Sequence, residues 1–297
     1  MGTSANTNAV PDRTRKHSQL RNLWRQYRKN TLALFGLILF TSLMLIALLC
    51  PLFVDYDTDV IAQNNRNRLQ PPSAEHIFGT DHYGRDVFSR VIWGTRISLF
   101  VGLFTVGFAA SVGGAFGAVS GYYGGATDNL LMRIMDIFLA MPGTILAVAI
   151  VGALGPGLIN ILWAMSICRV PQFARVVRSS VISLRSQEFI EAAKACATKD
   201  FRIIMRHILP NCVGPIVVQC TLHLATTILG VAGLSFIGLG IQPPDPEWGS
   251  MLSEARVYMR DSGYLMAFPG LAIVLSVLAL NLIGDGLRDA LDPRLKR

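Results

Sequence analysis

The chain has 297 residues, of which 52% are hydrophobic and only 15% are Asp, Glu, Lys or Arg, and its formal net charge is +8. Disordered chains are poor in apolar residues, so the hydrophobic content excludes a disordered chain. Soluble globular domains contain about 25% of those four charged residues, so the low charge argues against a soluble enzyme. A basic excess in an apolar chain is typical of a membrane protein with positive loops on one side, and not of a nucleic-acid-binding protein.

Five stretches of the chain lack Asp, Glu, Lys and Arg and are candidates for membrane spans: 30–54, 97–127, 137–168, 207–244 and 262–284. A helix needs about 20 apolar residues to cross the hydrocarbon core of a bilayer. The third stretch contains the turn-forming run Gly155-Pro156-Gly157 and is long enough for two spans. The sequence therefore predicts an all-α polytopic membrane protein with six transmembrane helices.

The distribution of basic residues predicts the orientation of these spans. Residues 1–30 contain seven basic residues and one acidic residue, and residues 169–206 contain eight basic and three acidic residues. Loops rich in Lys and Arg face the cytoplasm, so both termini are expected inside. The predicted organisation is a basic cytoplasmic leader (1–30), a first transmembrane helix (31–54), an extracytoplasmic loop (55–95), a five-helix core (96–285) and a cytoplasmic tail (286–297).

Two local patterns predict how the spans pack. The second span carries a stripe of small residues at four-residue spacing, which lets another helix approach closely; the members are Ala109, Gly113, Gly117 and Gly121. Helix packing is one explanation of this stripe, and lining of a substrate pathway is the other. Arg133 and Asp136 are three residues apart and are expected to pair on one helix face.

The chain shows no motif for covalent chemistry, nucleotide binding or metal binding. It contains no Gly-Lys dipeptide and hence no phosphate-binding loop of the G-x-x-x-x-G-K-[ST] type. The five cysteines include no C-x-x-C pair, and His76 and His82 flank a turn that is better explained as a folded outer loop than as a metal site. The spans lack the deep acidic residues that an ion-coupled carrier usually contains. Energy for uphill transport is therefore expected from another subunit.

The cytoplasmic segment 186–211 reads SQEFIEAAKACATKDFRIIMRHILPN and predicts a helix–turn–helix at the membrane surface. Its pattern alone fits a short interfacial helix pair, with an apolar stripe formed by Phe189, Ala192, Ala193 and Cys196. The segment also resembles the EAA loop of ABC importer permeases. The matching positions are Glu191, Ala192 and Ala193, then the small residue Ala197, then Leu209 and Pro210.

Four further motifs carry the same resemblance along most of the chain. They are FGTDHYGRDVFSR at 78–90, MRIMDI at 132–137, SFIGLGIQPPDPEWGSML at 235–252 and NLIGDGLRDALDP at 281–293. Together they resemble the peptide branch of these importers, and in particular the C-type permease subunit of dipeptide and oligopeptide systems.

The resemblance implies a type I ABC importer permease fold in the bacterial inner membrane. It also implies a homologous B-type permease, two cytoplasmic ABC ATPases and an extracytoplasmic substrate-binding protein as partners. The EAA loop would dock on an ATPase, with Glu191 pairing with a basic group there. Outer-loop residues Asp81, Arg85, Asp86 and Trp248 would face the binding protein. The chain itself would hold no catalytic residue and no cofactor, because ATP and Mg²⁺ bind the ATPases.

The family usually has glycine where this sequence has Ala197. A left-handed turn at an alanine costs about 1 kcal/mol, so either the turn is right-handed here or the coupling helix is re-angled.

Three alternatives stay open at the level of sequence. The same architecture could import glutathione or a nickel chelate. The chain could be an ion-coupled secondary carrier, which would transport alone. It could also be a membrane scaffold, in which substitutions of the small-residue stripe change assembly but never transport.

Overall fold

The structure is a computed structural model that describes residues 24–291. Residues 1–23 of the predicted leader and residues 292–297 of the predicted tail lie outside the described residues. Between residues 24 and 291 the chain is helical and has no β-strand, only an isolated bridge between Thr80 and Asp86. The prediction of an all-α chain is confirmed for this part.

The principal helices of residues 24–291 are α1 (Thr31–Phe53), α2 (Val87–Tyr123), α3 (Gly125–Leu139), α4 (Gly143–Leu154), α5 (Leu158–Arg185), α6 (Glu188–Ala195), α7 (Asp200–Ile203), α8 (Leu209–Phe236), α9 (Trp248–Ala255) and α10 (Tyr264–Leu291). Short π-helical segments cover Tyr56–Ile61 and Ile204–Ile208, and 3₁₀ turns cover Asn65–Asn67 and Arg256–Tyr258. The α2 helix begins inside the segment predicted as an outer loop, because the Asp86 side chain caps it by accepting a hydrogen bond from the Ser89 amide.

Four helical runs of the described chain are long and apolar enough to cross a membrane: α1, α2, α10 and the continuous run Asp200–Phe236. A fifth candidate is the α3–α4 pair, which bends by 82°. Proline disfavours helix in the residue before it, and Pro142 stands at this bend as the N-cap of α4. The α5 helix has the length of a span but carries four arginines. The structure therefore supports four or five of the six predicted spans.

The most extensive helix packing among residues 24–291 is that of α2 against α5. A Cβ atom added at Gly113 would lie 2.4 Å from the Val170 carbonyl oxygen, and one added at Gly117 would lie 2.3 Å from the Ala174 carbonyl oxygen. Such distances leave no room for any side chain. The small-residue stripe thus serves helix packing in this chain, and its second explanation, a pathway lining, is not needed.

The predicted Arg133–Asp136 pair is wrong. The Arg175 Nη2 atom donates to Asp136 Oδ1 at 2.6 Å, which links α5 to α3. Spacing along one helix could not reveal a partner that lies 39 residues away on another helix.

The tight α2–α5 contact makes a prediction about two glycines of the same helix. Gly117→Ala should lower the free energy of unfolding by about 1–3 kcal/mol, because the new methyl group overpacks against the α5 backbone. Gly107→Ala is the matched control, since nothing lies within 4 Å of its added Cβ. The control should leave stability unchanged or raise it slightly. Melting temperatures of the detergent-solubilised protein check this, and equal values for both variants would contradict the packing argument.

Candidate functional site

Four charged side chains form a buried cluster where the loop before α2 meets α9. Within this outer ion cluster (Asp81, Arg85, Arg90 and Glu254), Arg85 Nε lies 2.6 Å from Asp81 Oδ2 and Arg85 Nη2 lies 3.1 Å from Glu254 Oε2. Arg90 approaches the same two carboxylates, at 3.7 Å and 3.4 Å. Two buried cations thus share two carboxylates, which compensates for the loss of their hydration.

The same side chains also bind backbone groups of segments that lie far apart in the chain. Arg90 Nη1 donates to the backbone carbonyls of Val60 and Pro244, both at 3.2 Å. The Asp81 Oδ1 atom accepts from the backbone N–H groups of Tyr83 and Arg85. The outer ion cluster therefore fastens the α1–α2 loop, the start of α2 and the α8–α9 connection to one another.

Two residues at the start of α9, Glu247 and Trp248, form further hydrogen bonds beside the outer ion cluster. The Trp248 Nε1 atom donates to the Val91 carbonyl at 3.1 Å. The Glu247 carboxylate caps α9 by accepting from the amides of Gly249 and Ser250, both at 2.9 Å. Burial raises the pKa of Glu247 above its ordinary value, while these hydrogen bonds act in the opposite direction.

Three of the four outer-loop residues predicted to face a binding protein are buried, with exposed fractions of 6% for Asp81, 2% for Arg85 and 0% for Trp248. The fourth, Asp86, is half-buried, caps α2 and lies 3.0 Å from His76 Nδ1. Their contact with a binding protein stays a prediction, and their burial shows that they also hold the loops of this chain together. The sequence did not indicate that Arg90 and Glu254 belong to the outer ion cluster, because their partners lie far away in the chain.

The outer ion cluster yields a prediction about stability. Glu254→Gln removes one of two carboxylates from two buried guanidinium groups and should cost about 3–5 kcal/mol of unfolding free energy. Glu75→Gln is the control, because Glu75 is an exposed carboxylate of the same loop region with no ion pair among residues 24–291. Thermal unfolding of both purified variants is the measurement. A Glu254→Gln melting temperature equal to that of the control would contradict the proposed energetics.

A second surface lies at the other end of α2 and α5 and consists of α6, α7 and the turn between them; we call it the inner surface. Ile190 of α6 is buried in an apolar cluster with residues of α2, α5, α7 and α8, namely Ala118, Tyr122, Val177, Val181, Ile203, Ile204, Ile208 and Cys212. Most of the predicted EAA residues face away from this cluster. Glu191, Ala192, Ala197 and Pro210 are exposed, whereas Ala193 and Leu209 are half-buried.

Polar contacts hold the inner surface to the long helices. The Tyr122 hydroxyl, at the end of α2, donates to Asp200 Oδ1 at 2.6 Å, and Lys194 Nζ lies 5.3 Å from the centre of the Tyr122 ring. Arg178 of α5 binds Asp128 of α3 through two hydrogen bonds of 2.6 Å. Burial of Ile190 among the long helices and the approach of Lys194 to Tyr122 therefore attach α6 to the helical core.

The turn after α6 adopts the left-handed conformation at Ala197, with φ at 53°. The Thr198 amide donates to the Ala193 carbonyl at 3.2 Å and the Ala197 amide donates to the Lys194 carbonyl at 2.9 Å. This pair of bonds is the Schellman motif, which usually has glycine at the left-handed position. The sequence-level alternative of a right-handed turn is therefore wrong.

The strained turn predicts opposite effects for two alanine-to-glycine changes. Ala197→Gly should stabilise the turn by up to about 1 kcal/mol, because glycine adopts positive φ without steric cost. Ala192→Gly, in the interior of α6, should destabilise by about 1 kcal/mol, because glycine weakens a helix interior. Hydrogen exchange of the amides of α6 measures both, with slower exchange expected in the first variant and faster exchange in the second. Faster exchange in both would contradict this account of the turn.

Two known protein families match parts of this chain. Residues 113–297, more than half of the chain, match the family described as "Binding-protein-dependent transport system inner membrane component". The chain belongs to this family. Residues 18–72 also match the description "N-terminal TM domain of oligopeptide transport permease C". The protein is thus an inner-membrane permease of the C type, in the peptide branch of ABC importers.

Curated relatives extend the similarity over nearly the full length. This permease is 52% identical over 279 residues to the dipeptide transport system permease protein DppC of Alkalihalophilus pseudofirmus, covering 94% of this chain and 91% of the relative. It is 44% identical over 286 residues to the glutathione transport system permease protein GsiD of Escherichia coli, covering 96% and 93%.

A solved structure shows the same fold. The permease superposes on a chain of the MetNI methionine ABC transporter in an inward-facing conformation, with a TM-score of 0.56 and 18% sequence identity. The match covers 68% of this chain and 97% of the other. This likeness identifies the fold as that of a type I ABC importer permease.

Proposed function

We propose that this permease is one half of the translocation pathway of an ATP-driven importer for short peptides. The observation that carries the proposal is the 52% identity to a dipeptide transport permease over 94% of the chain. The partners would be a homologous B-type permease, two cytoplasmic ABC ATPases and an extracytoplasmic binding protein. ATP hydrolysis would take place in the ATPases, with no cofactor bound by this chain.

The proposed topology has six spans and both termini in the cytoplasm. The α5 helix would be the sixth span, since its 28 residues extend over roughly 42 Å at about 1.5 Å per residue. The outer ion cluster lies at one end of the 37-residue helix α2, and Tyr122, which anchors the inner surface, lies at the other end. This separation supports opposite sides of the membrane for the two surfaces.

The inner surface would be the docking site for an ATPase subunit. Glu191 and Ala192 are exposed and Phe189 is partly exposed on α6, while Ile190 is packed into the helical core. A push on α6 would therefore move the cytoplasmic ends of α2, α5 and α8 with it as one body.

The binding protein would contact apolar side chains that the outer surface leaves exposed. Val257 and Met259, which follow α9, are 78% and 59% exposed. Ile77, in the loop between α1 and α2, is 56% exposed. Exposed apolar groups beside polar loops are typical of protein contact surfaces, and we add these three to the residues that the sequence predicts at this contact.

Glutathione is the second candidate substrate, and the 44% identity to a glutathione permease favours it. A nickel chelate and an ion-coupled mechanism have no comparable support. Uptake of a radiolabelled dipeptide by the reconstituted importer, with glutathione as a competitor, separates the first two candidates.

The proposed docking role predicts the effect of a charge reversal. Glu191→Lys should weaken association of the ATPases and lower ATP-driven uptake by at least about tenfold, because a repulsive contact replaces an attractive one. Asp261→Lys is the control, since it reverses an exposed charge on the proposed outer side. Co-purification of the ATPases and dipeptide uptake are measured together, and wild-type values for Glu191→Lys would contradict the role of Glu191.

A further inference from the structure

Arg169 is a cation near the middle of α5. It stands eleven residues after Leu158, the first residue of the helix, which is roughly 17 Å along it and thus about halfway across a bilayer core of about 30 Å. The guanidinium group stays protonated in proteins, and a cation at this depth is costly unless a counter-charge meets it. The sequence analysis had assigned Arg169 to a cytoplasmic segment.

No carboxylate of residues 24–291 lies within 4.0 Å of the Arg169 guanidinium nitrogens. Its Nη1 atom donates to Gln172 Oε1 at 3.3 Å, and its Nε atom is buried with no hydrogen-bond partner among the described residues. Arg85, Arg90 and Arg178 each pair with a carboxylate. Arg169 is therefore a cation whose counter-charge this part of the chain does not supply.

The surroundings of Arg169 are polar but carry no acid. Phe173, one turn further along α5, lies with its ring centre 5.1 Å from that of His223 on α8. Gln219 Nε2 lies 2.6 Å from His223 Nε2. We call Arg169 and Gln172 of α5, together with the Gln219–His223 pair of α8 that Phe173 contacts, the midspan cluster.

The midspan cluster lies on a polar face of α5 and not in its packed face. Arg169 and Gln172 are half-buried, whereas Phe173 and Ala174 are fully buried against α2. At three- and four-residue spacing this face continues toward the inner end of the helix through Val176, Ser179 and Ser183, of which the two serines are polar. Such a face suits a path for a hydrated or polar substrate.

We propose that the midspan cluster is a transit site for the carboxylate group of the transported peptide, an inference that rests on the proposed function. The Nε atom is buried, but the hydrogen bond to Gln172 uses only one hydrogen of Nη1. The second hydrogen of Nη1 and the Nη2 atom form the end of the guanidinium group, which binds a carboxylate through two parallel bonds. Every peptide with a free C-terminus carries one such carboxylate whatever its side chains are. One arginine can therefore serve short peptides of varied sequence.

The test uses the assembled importer, with both permeases, the ATPases and the binding protein, in proteoliposomes. Uptake of a radiolabelled dipeptide and ATP hydrolysis are measured in parallel at saturating binding protein. Arg169→Met should lower uptake about ten- to hundred-fold, while the loaded binding protein still stimulates ATP hydrolysis. Arg169→Lys should retain part of the uptake, because it keeps the charge but loses the two-donor edge.

Arg175→Met is the matched control on the same helix. Its partner Asp136 and Arg175 itself are about half exposed, so loss of this pair should leave both uptake and ATP hydrolysis near wild-type values. Wild-type uptake by the Arg169→Met importer would overturn the transit site alone. Failure of Arg169→Met to co-purify with the partner permease would overturn it in favour of an ion pair between the two permeases. An inactive wild-type importer would overturn the proposed function together with it.

Discussion

The close approach of α2 to α5 is the constraint on which the rest of the structure depends. Glycines at 113 and 117 let the backbone of α5 lie against α2 with no side chain between them. The same two helices carry contacts of both functional surfaces: Arg90 at one end of α2, Tyr122 at the other, and Arg178 of α5 near the inner end. The two surfaces are therefore joined by one closely packed pair of helices.

Arginines that pair with a carboxylate of this chain mark structural sites, whereas Arg169, which has no such partner among the described residues, marks a candidate transport site. In the outer ion cluster two arginines meet two carboxylates, so the charge is compensated within the chain. Arg178 and Asp128 form an equally complete pair at the inner end. Arg169 has a polar neighbourhood without an acid, which is unfavourable for a purely structural residue at mid-depth. In the proposed transit site, an anionic group of the substrate would supply the missing counter-charge.

Much of the fold could be predicted from local sequence patterns, whereas contacts between residues far apart in the chain could not. Stretches without charge predicted α1, α2, α8 and α10, because helices in a bilayer must be apolar along about 20 residues. The same scan ended a span at residue 168 because it stops at any charge, so it missed the continuation of α5 to Arg185. The Arg85–Glu254 contact joins residues 169 positions apart, and no spacing rule reveals it.

In the proposed topology the inner surface lies in the cytoplasm and the α9 region lies outside, with α8 between them, and site-specific labelling tests this most directly. Cys196 is exposed on the inner surface, while Cys50, Cys168 and Cys212 are buried and Cys220 is half-buried. A membrane-impermeant maleimide should label Cys196 in inverted membrane vesicles but not in right-side-out vesicles, and Cys196→Ala should abolish that labelling. A cysteine introduced as Asp261→Cys in the Cys196→Ala background should show the reverse pattern. Labelling of both positions from the same side of the membrane would contradict the account.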